Sequence, residues 1–395
     1  MKAAWNIRQL GEVCNVQPRK SEARQLLRPN DMVSFVPMEA LGIQRKEIGA
    51  TVNRTLSEVQ GSYTYFANGD VLLAKITPCF ENGKLGIASG LTNGVGFGSS
   101  EYIVLRPLAC LTANFLYYFL LQDSFRETGA RNMTGTAGQK RVTKTYVESS
   151  GIPTPPLKEQ ERIVAILDEA FEGIATAKAN AEESLKKSNA LLGILIEAML
   201  SKSDKPALRK TVGEIANLAR GQNPPKHTFS PVPKPGYIRF YQIRDGKTED
   251  YAVYVPDTPQ LHKVESHEIL MVAYRHIGKA YRGVTGAFNV ALCKLTNARK
   301  DLVHDDYLFE LIPSSYIRGE LLKRSERSLI PSMSIEHLRE IEVPIPSLSE
   351  QSRILSSLST IRTEQGRLAV GYTTKLDALE ELKQSLLHQA FTGKL

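Results

Sequence analysis

The sequence contains few of the residue patterns that support metal, thiol or nucleotide chemistry. The seven histidines form no metal-binding or triad-like arrangement. The four cysteines are scattered, with no Cys-x-x-Cys pair and no histidine at metal-ligand spacing: they are Cys14, Cys79, Cys110 and Cys293. Because disulfide frameworks and zinc sites depend on such spacings, we expect reduced thiols, no metal and no catalytic residue among them.

Apolar runs are short. The longest are residues 115–121 and a patch around 191–200, whereas a helix that spans a bilayer needs about 20 apolar residues. The first eight residues also lack the apolar segment of a signal peptide. The sequence therefore predicts a cytoplasmic protein without a membrane partner.

Sequence motifs of DNA-modifying enzymes are incomplete. Residues 223–226 resemble the amino-methyltransferase tetrapeptide, but Lys226 stands where an aromatic side chain stacks on the flipped base. The glycine-rich segment 94–98 has no strand–turn–helix context, and 135–141 lacks the spacing of a P-loop. Residues 168–171 faintly resemble a helicase motif but lie inside a predicted helix. We therefore predict a protein that is not an enzyme.

One eleven-residue segment occurs twice. Residues 153–163 and 344–354 are identical at seven of eleven positions at a constant offset of 191. The identical pairs are Pro153/Pro344, Pro155/Pro346, Leu157/Leu348, Glu159/Glu350, Gln160/Gln351, Arg162/Arg353 and Ile163/Ile354. Each copy follows a globular segment and precedes a long helical pattern. The sequence therefore predicts a duplicated unit, a globular module followed by a long helix.

Both helical patterns repeat apolar or small residues at alternating steps of four and three, which is typical of a coiled coil. The first predicted seam is Ile163, Leu167, Ala170, Ile174, Ala177, Ala181, Ser184, Ser188, Leu191, Leu195 and Ala198. The second is Ile354, Leu358, Ile361, Gln365, Leu368, Tyr372, Lys375, Leu379, Leu382, Leu386 and Gln389. We predict an intramolecular antiparallel coiled coil about a pseudo-twofold axis. The alternative is that each helix packs only on its own module.

The modules show short alternating apolar runs separated by glycines, which predicts mixed strand and helix, an α+β fold class, rather than a doubly wound sheet. In module 1 we predict strands at 33–36, 70–74 and 102–105 and a helix at 114–125. In module 2 we predict strands at 237–243, 251–255, 269–274 and 307–312 and a helix at 315–324. The interiors differ strongly in sequence, which indicates two binding specificities.

The positive charge belongs to the modules. Residues 157–203 carry 6 basic and 8 acidic side chains, and residues 348–395 carry 6 and 5, so the two helical segments together have a net charge of −1. Because the whole chain has a net charge of +8, the modules have a net charge of +9. A cationic surface confined to the modules is what binding to a phosphate backbone requires. Charge alone is equally compatible with a protein that binds nothing acidic.

The duplicated segment followed by a long helix, together with residues 386–395, resembles the specificity subunit of type I restriction-modification systems. Residues 69–84 and 96–101 are similar to one recurrent class of target-recognition domain in that family. One departure is the segment 197–201, which differs from the corresponding ending of the second copy at 389–393. The resemblance covers the whole chain.

The resemblance implies target-recognition domains at 1–152 and 204–343, with helical spacers at 153–203 and 344–395. Each domain would read half of a bipartite target in double-stranded DNA, and the coiled coil would set the spacing between the halves. Two methyltransferase subunits and two restriction or translocase subunits would be the protein partners. The chain itself would need no cofactor, because S-adenosylmethionine, ATP and magnesium would bind those partners.

We choose candidate DNA-binding residues from the family-like stretch, the basic glycine-rich loop and the segment of module 2 aligned with 75–77, which is 274–276. They are Lys75, Thr77, Asn82, Lys84, Ser99, Ser100, Gln139, Lys140, Arg141, Tyr274, Arg275, His276, Lys279, Tyr281, Arg282 and Asn289. Arg and Lys suit guanine edges, and Asn and Gln suit adenine. For each of them, contact with a phosphate or a solvated surface position remains an open alternative.

Two other classes of function remain open at this point. A self-contained DNA-modifying enzyme would bind S-adenosylmethionine as an isolated chain. A coiled-coil adaptor that joins two protein-binding modules would show no salt-sensitive affinity for DNA.

Overall fold

The structure, a computed structural model, describes residues 5–49, 51–136, 138–201, 208–246, 250–274, 276–325 and 334–395. The chain forms two compact units. Unit 1 comprises Met1–Glu182 and Thr373–Leu395, and unit 2 comprises Glu183–Tyr372. The predicted domain boundary at 203/204 lies outside the described residues.

Module 1 is built from short strands and short helices. Its strands are β1 Ile7–Gln9, β2 Cys14–Val16, β3 Met32–Val36, β4 Val52–Thr55, β5 Thr64–Ala67, β6 Val71–Ala74, β7 Leu85–Ile87, β8 Val95–Gly98, β9 Tyr102–Pro107 and β10 Gly151–Pro153. Its helices are α1 Leu10–Val13, α2 Ser21–Leu26, α3 Leu56–Val59, α4 Ala113–Leu120, α5 Asp123–Arg131 and α6 Lys144–Ser149, followed by the long helix α7 Leu157–Ser201.

Module 2 contains a similar set of elements. Its strands are β11 Leu208–Thr211, β12 Ala216–Arg220, β13 Tyr237–Tyr241, β14 Tyr254–Pro256, β15 Lys263–Val264, β16 Ile269–Val272, β17 Ala280–Tyr281, β18 Gly286–Phe288, β19 Leu292–Asn297 and β20 Glu342–Ile345. Its helices are α8 Val212–Ile215, α9 Asp305–Leu311, α10 Ser315–Ser325 and α11 Ile335–Arg339, followed by the long helix α12 Leu348–Phe391.

The two modules share one sheet topology. Module 1 has sheets of order β2-β9-β6-β7 and β4-β3-β8-β5, and module 2 has β12-β19-β16-β17 and β14-β13-β18-β15. In each second sheet the central pair, β3–β8 or β13–β18, is parallel. An antiparallel ribbon, β1–β10 or β11–β20, precedes each long helix. The fold class predicted from the sequence is confirmed, and the duplication extends through the module interiors.

Most predicted strands of the modules are present, but one element has the wrong type. Residues 307–312 were predicted as a strand, whereas Asp305–Leu311 is helix α9. The buried side chains Tyr307, Leu308, Leu311 and Ile312 recur at helical spacing. The predicted helix at 114–125 is two helices, α4 and α5, with a break at Leu121 and Gln122. In the segment 251–255, the strand begins only at Tyr254.

The long helices α7 and α12 run antiparallel in each unit. In unit 1, Lys178 forms an ion pair with Glu380 at 2.6 Å, and the Lys383 ammonium lies 5.1 Å from the ring centroid of Phe171. In unit 2, the Gln365 side chain donates a hydrogen bond to that of Asn189 at 2.6 Å. The predicted antiparallel coiled coil is therefore confirmed.

The end of each long helix closes the core of the unit it reaches. In unit 1, the ring of Phe391 from α12 lies 4.8 Å from that of Phe115 and 5.6 Å from that of Phe119. In unit 2, Met199 from α7 packs against the buried core of module 2. Each module is thus stabilised by its own helix and by the far end of the other helix.

The coiled-coil seam drifts away from the predicted heptad positions. Leu191, Leu368 and Leu382 were placed in the seams but are 55%, 53% and 47% exposed. In α12 the half-buried position moves one residue later, to Ala369 and Leu376. An α-helix has 3.6 residues per turn, so it advances about 20° per heptad relative to a strict repeat of 3.5. Over five heptads this drift moves the contact stripe by one position.

The duplicated glutamines, Gln160 and Gln351, tie each long helix to its module. The Gln160 side-chain amide donates to the carbonyls of Pro155 and Cys110, both at 2.9 Å, and its oxygen accepts from the Thr112 backbone N–H at 2.9 Å. The Gln351 amide donates to the carbonyls of Pro346 and Leu302, and its oxygen accepts from the His304 N–H, all at 2.8 Å. Both side chains are fully buried. The same set of three hydrogen bonds therefore occurs in both copies.

Among the described residues, no helix combines the length and the apolar character that a membrane span requires.

Candidate nucleic-acid interface

Three segments of module 1 that are distant in sequence meet at the end of β6. The Lys75 backbone N–H donates to the Glu101 carbonyl at 2.9 Å, and the Thr77 N–H donates to the Lys140 carbonyl at 2.9 Å. The Val142 N–H donates to the Lys75 carbonyl, also at 2.9 Å. The structure therefore brings residues 75–77, 99–101 and 139–142 together, three of the stretches from which the candidates were chosen.

The basic glycine-rich loop, described at residues 134–136 and 138–141, has a closed stem. Thr134 and Arg141 exchange both backbone hydrogen bonds, at 3.0 and 2.8 Å. Gly135 and Gly138 adopt positive φ angles of 121° and 81°, a conformation that glycine reaches without a steric penalty. Gln139 and Lys140 are exposed at this turn. The loop therefore presents two candidate side chains on a backbone fixed at its base.

Arg141, by contrast, is held by a carboxylate. Its Nε donates to both oxygens of Glu101, at 3.2 and 3.0 Å, and its Nη2 donates to Glu101 Oε1 at 2.8 Å. Its Nη1 donates to the Gln139 carbonyl at 3.0 Å. The hydrogen bonds from Arg141 and the nearby charge of Lys75 lower the pKa of Glu101. Glu101 is thus ionised at neutral pH and fixes the guanidinium.

The remaining candidates of module 1 differ in whether their side chains are exposed to solvent or already hydrogen-bonded within the protein. Lys75 donates to the Ser100 carbonyl at 2.9 Å, and the Thr77 hydroxyl donates to Glu81 at 2.8 Å. The Ser99 hydroxyl accepts from the Glu101 backbone N–H at 3.2 Å. Lys84 is half-buried, whereas Asn82 and Ser100 are exposed. Lys75, Thr77 and Ser99 therefore support the site, and exposed side chains surround them.

Two glycines of segment 94–98, Gly96 and Gly98, serve close packing in β8, whereas Gly94 precedes the strand and has a positive φ of 69°. A Cβ at Gly96 would lie 2.2 Å from the ring of Phe66, and one at Gly98 would lie 2.4 Å from the Val36 carbonyl oxygen. Real Cβ atoms do not approach neighbours this closely, so only glycine fits at both positions. The glycines at 96 and 98 are therefore explained by strand packing.

The corresponding strand end of module 2 is one residue out of the predicted alignment. Ala74 pairs with Tyr102, and Val272 pairs with Leu292. Just as the Lys75 N–H bonds the Glu101 carbonyl, the Ala273 N–H bonds the Ala291 carbonyl at 2.8 Å. Ala273 therefore occupies the position of Lys75, and the alignment of 274–276 with 75–77 is wrong by one residue. Position-based alignment failed because no sequence identity fixes the register here.

The candidates of module 2 lie on either side of this strand end. Tyr274 is half-buried, and His276 and Lys279 are exposed in the turn after β16. Arg275 lies outside the described residues. Its neighbours are linked by a 2.7 Å hydrogen bond from the His276 N–H to the Tyr274 carbonyl.

The other side of this strand end contains the remaining candidates of module 2, which are Tyr281, Arg282 and Asn289. Burial raises the pKa of the Tyr281 hydroxyl. Arg282 forms an ion pair with Asp306, and its guanidinium lies 4.6 Å from the ring centroid of Phe309. The Asn289 side-chain oxygen accepts from the Ala291 N–H at 3.1 Å. Tyr281 and Asn289 thus contribute to local structure, and Arg282 is positioned by its neighbours.

A basic and aromatic cluster in module 2 was not identified from the sequence, and its Arg239 side chain is only 10% exposed and pairs with Asp245. The Arg239 guanidinium lies 4.7 Å from the ring centroid of Tyr241 and 6.0 Å from that of Tyr254. Arg244 lies 5.6 Å from the ring centroid of Tyr251. The Tyr241 carbonyl accepts from the Asn289 N–H at 3.0 Å, which joins the cluster to a candidate residue. The alternation of Tyr and Arg in 237–241, at the period of a strand, is the signal that identifies it.

Glu101 was also missed, because an acidic side chain in a cationic segment has no obvious role in binding DNA. Across the described ranges, no three histidine, cysteine or acidic side chains come together as a metal-binding group. The candidate sites are instead sets of hydrogen-bond donors and acceptors near strand ends, with aromatic rings beside the arginines of module 2.

Comparison with known proteins gives consistent matches. The sequence matches the model of a family described as the type I restriction modification DNA specificity domain over residues 2–187 and 209–370. It is 43% identical over 133 residues to the type I restriction enzyme EcoAI specificity subunit of Escherichia coli, covering 33% of this chain and 23% of that protein. It is 37% identical over 161 residues to the EcoEI specificity subunit of the same organism, covering 40% of this chain and 26% of that protein.

These matches cover about a quarter of the length of the two curated relatives. A solved chain from a study of complex assembly and conformational transition in the type I R-M system aligns over 100% of this chain and 99% of its own length. That alignment has a TM-score of 0.82 at 20% sequence identity, which shows a common fold. Since the family model covers most of the sequence, the chain belongs to the family of type I restriction-modification specificity subunits.

Proposed function

We propose that this chain is the sequence-specific DNA-recognition subunit of a type I restriction-modification complex. Each module reads one half of a bipartite target in double-stranded DNA, and α7 with α12 sets the spacing between the halves. The coiled coil also docks two methyltransferase subunits and, in a full complex, two restriction subunits. The chain contributes no chemistry of its own, because S-adenosylmethionine, ATP and magnesium bind the partner subunits.

The observation that carries this proposal is the repetition of one sheet topology with different side chains at the same strand end. In module 1 the end of β6 is surrounded by Lys75, Glu101 and Arg141. In module 2 the equivalent end, after β16, has Ala273 and Tyr274. A common frame with different polar groups suits two readers of different base sequences. The positive charge of the modules supports the same assignment, since phosphate contacts supply much of the affinity for DNA.

The first prediction concerns the methylation pattern of the host genome. Long-read sequencing that maps methylated adenines is expected to show one motif, two short half-sites around a fixed gap, which loses its methylation when this gene is deleted. A plasmid copy of the gene serves as the control and is expected to restore the motif. If no motif depends on the gene while the partner subunits are expressed, the proposal is wrong.

Partner docking is assigned to an exposed apolar face in unit 2. Leu191, Ile194 and Leu195 are 55%, 65% and 36% exposed, and their i, i+3, i+4 spacing places them on one face of α7. Contiguous exposed apolar side chains mark sites of protein interaction. We assign this face to a methyltransferase subunit, because the curated relatives are subunits of type I restriction enzymes.

The second prediction tests that face. The double substitution Leu191→Glu and Ile194→Glu is expected to reduce recovery of the co-expressed methyltransferase subunit at least about tenfold, because a charged group cannot be buried in an apolar interface without a large penalty. Leu26→Glu is the matched control, since Leu26 is 70% exposed in module 1. Equal recovery from the double variant and the control would exclude this face.

A further inference from the structure

We infer that Arg141 reads a guanine in the half-site of module 1 and that Glu101 is the positioning residue that presents it. This inference rests on the proposed function and deepens it, because it assigns one base to one side chain. Among the candidates in module 1, Arg141 combines a fixed backbone, a fixed side chain and remaining hydrogen-bond donors.

The backbone of Arg141 is held on both sides. On one side it exchanges two hydrogen bonds with Thr134. On the other it forms an antiparallel bridge with Ile76, and the bonds from Thr77 to Lys140 and from Val142 to Lys75 flank that bridge. Because the backbone is fixed, the Cα and Cβ positions of Arg141 are fixed as well. Less conformational entropy is therefore lost when the side chain binds a base edge.

The guanidinium is fixed as well. Glu101 binds its Nε and Nη2 side-on, and the Gln139 carbonyl binds Nη1. The Arg141 side chain is 41% exposed and that of Glu101 is 24% exposed, so the ion pair lies at the surface with its carboxylate side turned inward. An exposed ion pair of this kind contributes little to stability, which leaves orientation of the arginine as its main effect.

The donors that remain match one base. A guanidinium has five N–H groups, and the bonds to Glu101 and Gln139 use one on each of its three nitrogens. None of the described residues accepts a hydrogen bond from the other two, one on Nη1 and one on Nη2. The remaining N–H groups, one on each terminal nitrogen of the planar guanidinium, suit the O6 and N7 acceptors of guanine in the major groove. Adenine presents a donor in place of O6, so the fork discriminates between the two purines.

Lys75 reinforces the arrangement without competing for the base. Its ammonium donates to the Ser100 carbonyl at 2.9 Å, beside Glu101. The carboxylate therefore has two cations near it, and only Arg141 bonds it directly. Removing the charge of Glu101 would release the guanidinium while Lys75 remains in place.

The third prediction is tested by adenine-methylation mapping in a host that expresses this chain with its partner subunits. Arg141→Ala is expected to reduce the preference for guanine at one position of one half-site by roughly 5- to 150-fold. Glu101→Gln is expected to relax the same position to a smaller extent, because its neutral amide holds the arginine less firmly. The other half-site is expected to keep its sequence in both variants.

Glu127→Gln is the matched control. Glu127 forms an exposed ion pair with Arg131 on α5, at 3.6 Å and 67% exposure, and neither residue belongs to the three converging segments. It is expected to leave every position of the motif unchanged. Arg141→Lys keeps the charge and loses the fork, so it is expected to relax the guanine position even if the alanine variant does not accumulate.

Three results would overturn the inference. Unchanged preference in Arg141→Ala and Arg141→Lys would exclude base reading by this residue. A uniform loss of methylation at all sites, without relaxed preference, would make Arg141 a phosphate contact. Relaxation at a different position in Glu101→Gln would show that Glu101 acts independently of Arg141. Absence of any gene-dependent motif in the wild type is a separate result, which rejects the proposed function itself.

Discussion

Gln160→Leu and Gln351→Leu are each expected to lower the free energy of unfolding by about 2–4 kcal/mol. Each substitution leaves two carbonyls and one backbone N–H without the partner that the glutamine supplies. An unsatisfied buried polar group costs about 1–3 kcal/mol, and three such groups are affected. Part of that cost is offset, because leucine is less costly to desolvate and the surroundings relax.

Urea unfolding of the full chain measures this effect, with Trp5 fluorescence and far-ultraviolet circular dichroism as signals. Trp5, the one tryptophan of the sequence, packs against the core of unit 1. Gln160→Leu is therefore expected to shift the fluorescence transition, and Gln351→Leu mainly the dichroism transition if the units unfold separately. Glu159→Gln and Glu350→Gln are the controls, because each removes a partly exposed ion pair that contributes about 1 kcal/mol or less. Glutamine variants as stable as these controls would contradict the prediction.

The sequence predicts the helical part of this fold well because periodicity over forty residues is a strong signal. The duplicated segment also identifies Gln160 and Gln351 as equivalent positions, although it does not reveal their bonds. The seam was correct as far as Ser188 and Gln365 and then drifted, since a regular heptad is an approximation to 3.6 residues per turn.

The topology of module 2 was harder to predict. Strands β15 and β17 have two residues each, and β18 has three, which is too short to show a period of two. Helix α9 was mistaken for a strand because a short buried apolar run does not distinguish the two conformations. The match between the modules became visible only from strand order and register.

The contacts between each module and its own helix also could not be predicted. In unit 1 the rings of Tyr118 and Phe171 lie 5.3 Å apart in an edge-on arrangement. In unit 2 the corresponding positions on α9 and α12 hold Glu310 and Arg362, whose ion pair includes a 2.6 Å hydrogen bond. One junction is aromatic and the other ionic, so a sequence comparison limited to shared residue types cannot align them.

Glu101 of the candidate site is a second example of a contact that the sequence could not predict. It lies 40 residues from Arg141 in sequence, and neither residue carries a motif that predicts the pair. The contact forms only where three segments come together: the end of β6, the turn before β9 and the stem of the loop that ends at Arg141. The sequence does not show that these segments meet, so the contact could be identified only from the structure. Exposed candidates such as Lys140 and Gln139 were accessible to sequence reasoning, since a basic glycine-rich loop is recognisable by composition.

Removing one heptad from both long helices is expected to shorten the gap of the target while both half-site sequences are retained. Suitable segments are 177–183 of α7 and 374–380 of α12, because Lys178 pairs with Glu380 in unit 1. Seven residues advance a helix by two turns to within about 20°, so the faces that pack remain aligned. The loss of length is about 10.5 Å, or about three base-pair steps of DNA at 3.4 Å each.

Methylation mapping of this variant is expected to show the original motif reduced at least about a hundredfold and a new motif with a shorter gap. Replacing 177–183 with the sequence of 184–190 is the matched control, because it changes the residues and keeps the length, and its gap is expected to stay the same. An unchanged gap after the double deletion would show that the helices do not set the spacing. Altered half-sites would show that the modules do not read independently. Retained half-sites with a shorter gap would show that base recognition and spacing are separate functions. The bases recognised would depend on side chains such as Arg141, and the distance between the half-sites would depend on helix length alone.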